Sequence, residues 1–235
     1  MARDYSVAIL DGEGATDYAR YMRTDMLLSL QRRPEDMVHR DELLFQVVHQ
    51  SAELWLKLAN AETAEAIDRI AADALDTASR LLGRAALAID LMTQQLEMLE
   101  SLTPWTFQTI RTVLGHGSGF ESPGWAGLQK RGRELNNAFT ALTARDDVDW
   151  AEVYRGSPDT RMYRLAEALI NWDEAVALWR TRHYKVATRI IGHEVTGTKG
   201  APVDSLVRLV VHKFLPDLWQ VRTELTRTGP MEMAP

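Results

Sequence analysis

Three side chains stand where chemistry could be done: His183, His49 and Arg111. His183 falls at helical spacing in an apolar stripe with Val176, Trp179, Val186 and Ile190. A histidine so placed reads in two ways. It is a core residue bonded to a backbone carbonyl, or it is an axial haem ligand, since neutral imidazole suits iron and the macrocycle needs an apolar slot. Arg180, Arg182, Lys185 and Arg189 flank it, either as a solvated face or as partners for haem propionates. His49 shares a helical face with Phe45, Ala52 and Leu56, and Glu53 follows one turn later. A satisfied core histidine and half of a His/Glu metal site both fit that pattern. The second half is missing, because no Glu-x-x-His pair and no histidine pair at a spacing of three or four occurs.

Arg111 comes one turn after Phe107, beside Ile110 and Leu114, and leads into the loop Gly115-His116-Gly117-Ser118-Gly119-Phe120-Glu121-Ser122. A guanidinium on an apolar face either pairs with a protein carboxylate or clamps a ligand carboxylate through its planar fork. The loop lacks the Lys-Ser/Thr ending of a phosphate-binding loop, and its glycines let backbone approach a small ligand closely.

The elements that must position these residues are helices. Apolar residues recur at helical period almost throughout, as in Leu44, Val48, Ser51, Trp55 and Leu58, and no alternating stretch bounded by hairpin turns appears. Thr103-Pro104, Ser122-Pro123 and Ser157-Pro158 each set a capping hydroxyl before a proline suited to a first helical turn. Gly115 and Gly192 sit at helix ends. The predicted map is all-α, with helices near 15–31, 39–70, 74–100, 104–114, 123–143, 158–191 and 203–226 in one domain over 1–235.

Composition excludes several classes. Without cysteine there are no disulfides, zinc–thiolate sites, thiol nucleophiles or thiolate-ligated haem. A net charge of -6 with scattered basic residues gives no nucleic-acid footprint. No apolar run reaches the roughly 20 residues of a membrane span, and the start Met-Ala-Arg-Asp-Tyr carries no secretory stretch, so a cytoplasmic protein is expected.

Taken together, four segments in order resemble the tryptophan 2,3-dioxygenase family, within the histidine-ligated haem-dependent aromatic oxygenases. They are Tyr18-Ala-Arg-Tyr21, the run from Asp41 through Phe45, His49 and Trp55, the run Phe107 to Arg111 with Ser118-Gly-Phe-Glu-Ser122, and Trp179-Arg-Thr-Arg-His183. The resemblance implies a helical bundle of that family's type that binds haem b, with dioxygen as co-substrate. It implies that His183 is the axial ligand, that His49 is the distal residue hydrogen-bonded to the indole N–H, and that Arg111 grips the amino-acid carboxylate. It further implies that Phe45 and Phe107 wall the indole, that Ser118 lies near a ring nitrogen or the haem edge, and that Thr198 touches the substrate's ammonium and carboxylate. Tyr18 and Tyr21 would reach a neighbouring subunit's pocket in a homo-oligomer, a dimer or tetramer.

The pattern is not uniform. Pro123-Gly124-Trp125 replaces a basic-aromatic stretch, Thr196-Gly-Thr-Lys-Gly200 replaces a glycine- and serine-rich loop, and His116 stands where proline is usual. The resemblance and its departures leave three outcomes open: dioxygenation of L-tryptophan at C2–C3 to N-formylkynurenine, single-atom oxygenation of tryptophan or a methylated derivative to an oxindole or hydroxylated product, or a helical bundle or haem-binding module without turnover.

Overall fold

The computed structural model describes residues 7–193, 195 and 206–229. Among these residues every regular element is a helix: α1 Asp17–Met22, α2 Thr24–Leu27, α3 Glu42–Ala71, α4 Leu75–Leu99, α5 Pro104–Arg111, α6 Pro123–Asp146, α7 Trp150–Arg155, α8 Arg161–Ile191, α9 Val207–Val210 and α10 Pro216–Arg227. The all-α expectation is borne out.

Four long helices make the frame. α3 packs against both α4 and α6, and α4 packs against α8. The buried stripe of α3 runs Val48, Leu56, Ala59, Thr63, Ala66 and Ile70, which keeps one face inward at steps of three and four. Leu58, expected on that stripe, turns outward because it lies off the face that Leu56 and Ala59 share. The α8 stripe is as expected, with Val176, Val186 and Ile190 buried. Across the core, the Trp172 indole Nε1–H donates to Thr63 Oγ1 at 3.0 Å, so the polar atoms of two fully buried side chains satisfy each other.

The apolar interior divides into two clusters. The larger fills the far half of the bundle and includes Leu82, Ile89, Leu135, Leu169 and Trp172. The smaller, Val48, Leu96, Leu99, Leu102, Ile110, Val186 and Ile190, lies where the first turns of α3, the end of α4, α5 and the last turns of α8 meet. Leu44, Phe45, Phe107, Leu114 and Trp179 border it.

Several boundaries differ from the expected map. The helix placed near 15–31 breaks at Arg23, whose φ of 53° is left-handed, and its helical part ends at Leu27. The last helix, expected over 203–226, is split into α9 and α10. Pro216 cannot continue a helix from upstream, and the buried Asp173 carboxylate accepts from Phe214 N, Leu215 N and Trp219 Nε1 at 3.0–3.1 Å. Arg180 adds donors to the carbonyl oxygens of Leu209 and His212 at 3.1 and 3.2 Å. α8 starts at Arg161 with Thr160 as its cap, while Ser157 instead accepts from Asp159 N in a tight turn. α7, absent from the map, is a six-residue helix capped by Asp149. The caps at Thr103 and Ser122 and the glycine at Gly192 form as expected.

Candidate active site

The site forms around the smaller apolar cluster. From α3, the His49 ring lies against Phe45 with centroids 4.1 Å apart and a 35° tilt, and its Nδ1 is 2.7 Å from the Phe45 carbonyl oxygen. A carbonyl only accepts, so Nδ1 carries the proton and Nε2 keeps its lone pair. Phe45 in turn faces Phe107 of α5 at 6.0 Å. From α8, His183 stacks almost parallel on Trp179, one turn earlier, with centroids 4.7 Å apart and an 8° interplanar angle.

Both imidazoles are held neutral. Burial lowers the pKa of His49, against smaller upward pulls from the Phe45 carbonyl and Glu53. Burial pushes His183 down to about 4, helped by the proximity of His49. The surface of His49 nonetheless remains exposed, and that of His183 is partly so. Each ring is open to water on one side and surrounded by protein on the others. The surrounding mass, more than local accessibility, sets the cost of charging it. Their ring neighbours Phe45 and Trp179 both border the smaller apolar cluster, from α3 and α8.

This donor set fits haem. Neutral imidazole is the form that ligates iron, and no hydrogen bond engages the His183 ring among the described residues. The Trp179 Nε1–H is buried without an acceptor among those residues, a donor that a propionate-bearing group would satisfy. The neighbouring apolar cluster supplies the low-polarity wall. Among the described residues no cluster of three or more His, Cys, Asp or Glu side chains could hold a bare metal ion.

Arg111 is the last residue of α5 and is half-buried, with Ile110 beneath it fully buried. Ser118 caps the short 3-10 turn Gly119–Glu121, and its N–H donates to Glu121 Oε2 at 3.0 Å. His116 is exposed on the same loop. Tyr18 and Tyr21 project from α1 with 68% and 75% of their surface exposed. Thr198 lies outside the described residues.

The sequence reading missed the role of Glu53. Its carboxylate is bonded by Ser122 Oγ–H and by Gly124 N–H at 3.0 Å, so it closes the amino end of α6 rather than completing a metal site with His49. Trp125, next along, packs its ring on Trp179 at 3.9 Å. A serine-proline cap signal was visible there; its partner 69 residues away was not. A separate cleft of about 490 Å³ follows the α3–α6 seam past Lys57, Asn60 and Gly127, and neither histidine lines it. No helix among the described residues is long and apolar enough to cross a membrane.

Comparison with known sequences follows the same lines. The sequence model of the tryptophan 2,3-dioxygenase family matches residues 4–138. The tryptophan 2,3-dioxygenase of Bacillus thuringiensis subsp. konkukian (strain 97-27) is 33% identical, over 88% of this chain and 92% of its own. That of Myxococcus xanthus (strain DK1622) is 31% identical over 94% of both chains. That of Serratia proteamaculans (strain 568) is 29% identical over 94% of this chain and 97% of its own.

Proposed function

Because this chain belongs to the tryptophan 2,3-dioxygenase family, we propose that it is a haem-dependent oxygenase that adds both atoms of dioxygen across the C2–C3 bond of L-tryptophan, giving N-formylkynurenine. The observation that carries this reading is the pair of neutral imidazoles, His49 on α3 and His183 on α8, whose ring neighbours Phe45 and Trp179 border one apolar cluster. Residues 1–235 act as one haem-binding domain.

His183 holds the iron. Its depressed proton affinity leaves the ring nitrogen unprotonated across the physiological range, and Trp179 fixes the plane of the ring by stacking. Bound haem b supplies ferrous iron, which binds and activates dioxygen. The protein's share is to present the indole to that oxygen in one orientation.

His49 does so at the indole nitrogen. With its Nδ1 proton engaged by the Phe45 carbonyl, Nε2 accepts a hydrogen bond from the substrate's N–H. Phe45 and Phe107 give the indole its apolar wall. Arg111, one turn beyond Phe107, clamps the substrate carboxylate, and the Ser118 hydroxyl donates at the cofactor edge. The exposure of Tyr18 and Tyr21 supports a homo-oligomer in which each copy closes its neighbour's pocket with these rings.

One measurement tests the whole reading. The protein is supplied with haem, its visible spectrum is recorded, and L-tryptophan and dioxygen are added before the product is weighed. A gain of two oxygen atoms is expected. A gain of one replaces dioxygenation by single-atom chemistry, and failure to bind haem overturns both.

A further inference from the structure

We propose that Trp125, Trp179 and His183 form a ring stack that carries an oxidising equivalent from the iron centre toward the protein surface when hydrogen peroxide arrives in place of substrate, an inference that rests on the haem reading above. The three rings are contiguous. His183 lies parallel to Trp179 at 4.7 Å, and Trp179 meets Trp125 at 3.9 Å with a 38° tilt. The stack therefore passes from α8 to α6 without a gap wide enough for another side chain.

Its outer member is held as firmly as its inner one. Ser122 Oγ accepts from Trp125 N at 3.1 Å, and Glu53 takes both the Ser122 hydroxyl and the Gly124 amide. Three consecutive contacts thus fix the start of α6 to α3, and the Trp125 indole so placed meets Trp179 of α8. Trp125 is partly buried, and both tryptophan rings border the main core. The chain has no cysteine to absorb oxidising equivalents. Indole and phenol rings are the side chains that give up single electrons most readily, and the rings in direct contact with His183 and its neighbour are indoles. Tyr184 is adjacent in sequence, but its ring turns toward His193 at 6.4 Å.

The electron count closes as follows. Hydrogen peroxide takes two electrons as its O–O bond breaks; one oxygen leaves as water and the other is retained at the oxidised haem. One electron comes from the iron porphyrin and one from Trp125 by way of Trp179, which returns to its starting state. The Trp125 indole then releases its N–H proton to water and remains as a neutral radical. Two one-electron equivalents from a donor such as ascorbate, with three protons, restore the indole and the haem and release the retained oxygen as a second water.

The haem-loaded protein, without tryptophan and with its own tryptophans ring-deuterated, is mixed with one equivalent of hydrogen peroxide and freeze-quenched for electron paramagnetic resonance. A radical signal that narrows on deuteration is expected, with oxygen addition in peptide mapping concentrated at Trp125. In Trp125→Phe the oxidised site shifts inward to Trp179, and haem bleaching by peroxide accelerates several-fold. A radical insensitive to tryptophan deuteration, or wild-type oxygen addition centred away from Trp125, overturns the relay even if the variant fails to fold. Absence of a haem band in the wild-type protein overturns the function instead, so the two failures are distinct.

Discussion

The Gly124 amide donates to Glu53 Oε2 at 3.0 Å, and a Cβ built on Gly124 would come within 2.6 Å of that same oxygen and of Leu56 Cβ. The amino end of α6 therefore touches α3 at a point where only hydrogen fits. This contact sets the Ser118–Trp125 segment against the helix that carries His49. Gly124→Ala is expected to lower stability by about 1–3 kcal/mol, since overpacking of a close contact costs that much. A fall in the denaturant midpoint with an unchanged slope would show it. An unchanged midpoint would mean that α6 can shift away at no cost.

His49 provides the most specific functional expectation. If Nε2 accepts from the indole N–H, then His49→Ala should lower kcat/KM for L-tryptophan about tenfold, the worth of one hydrogen bond of about 1.4 kcal/mol. A substrate methylated at the indole nitrogen has no proton to give, so the same variant should leave its kcat/KM unchanged. Equal losses on both substrates would contradict the acceptor role fixed by the 2.7 Å contact to the Phe45 carbonyl.

Much of this arrangement was legible in the chain. The α8 stripe from Val176 to Ile190 and the caps at Thr103 and Ser122 are local patterns, and the helices follow them. The face shared by Phe45 and His49 is local too, and their rings are in contact. What escaped depends on partners distant in sequence. Asp173 splits the last helix by accepting amides 41 and 42 residues away, and Glu53 is committed to Ser122 and Gly124 at separations of 69 and 71. Trp125 read as a departure from a family pattern, while its contact with Trp179, 54 residues on, comes from tertiary placement that no local pattern carries. The Tyr18 and Tyr21 assignments carry no geometry within a single copy, because both rings face outward.

Arg111 is expected to act on binding. Arg111→Ala should raise KM for L-tryptophan with a smaller change in kcat, corresponding to about 1.5–3 kcal/mol for a charge-assisted hydrogen bond. Indole analogues without a carboxylate should be unaffected by the substitution. If the wild-type protein bound analogues with and without the carboxylate equally well, the clamp assignment would fall.

Tyr154, on the helix that the sequence did not reveal, gives a pH signature. Burial raises its pKa to about 12, against the pull of Arg222, whose Nη2–H donates to the phenol oxygen at 3.2 Å. The folded state thus keeps the phenol neutral longer than the unfolded chain, whose tyrosines ionise near the ordinary value of 10.0. Above that value the unfolded state releases its proton first, so the Tyr154 contribution is full below pH 10 and is lost progressively as pH rises toward about 12. Tyr154→Phe has no proton to lose. Its denaturant midpoint should therefore fall less steeply than that of the parent protein across this window. Parallel curves for the two proteins would place the alkaline sensitivity elsewhere.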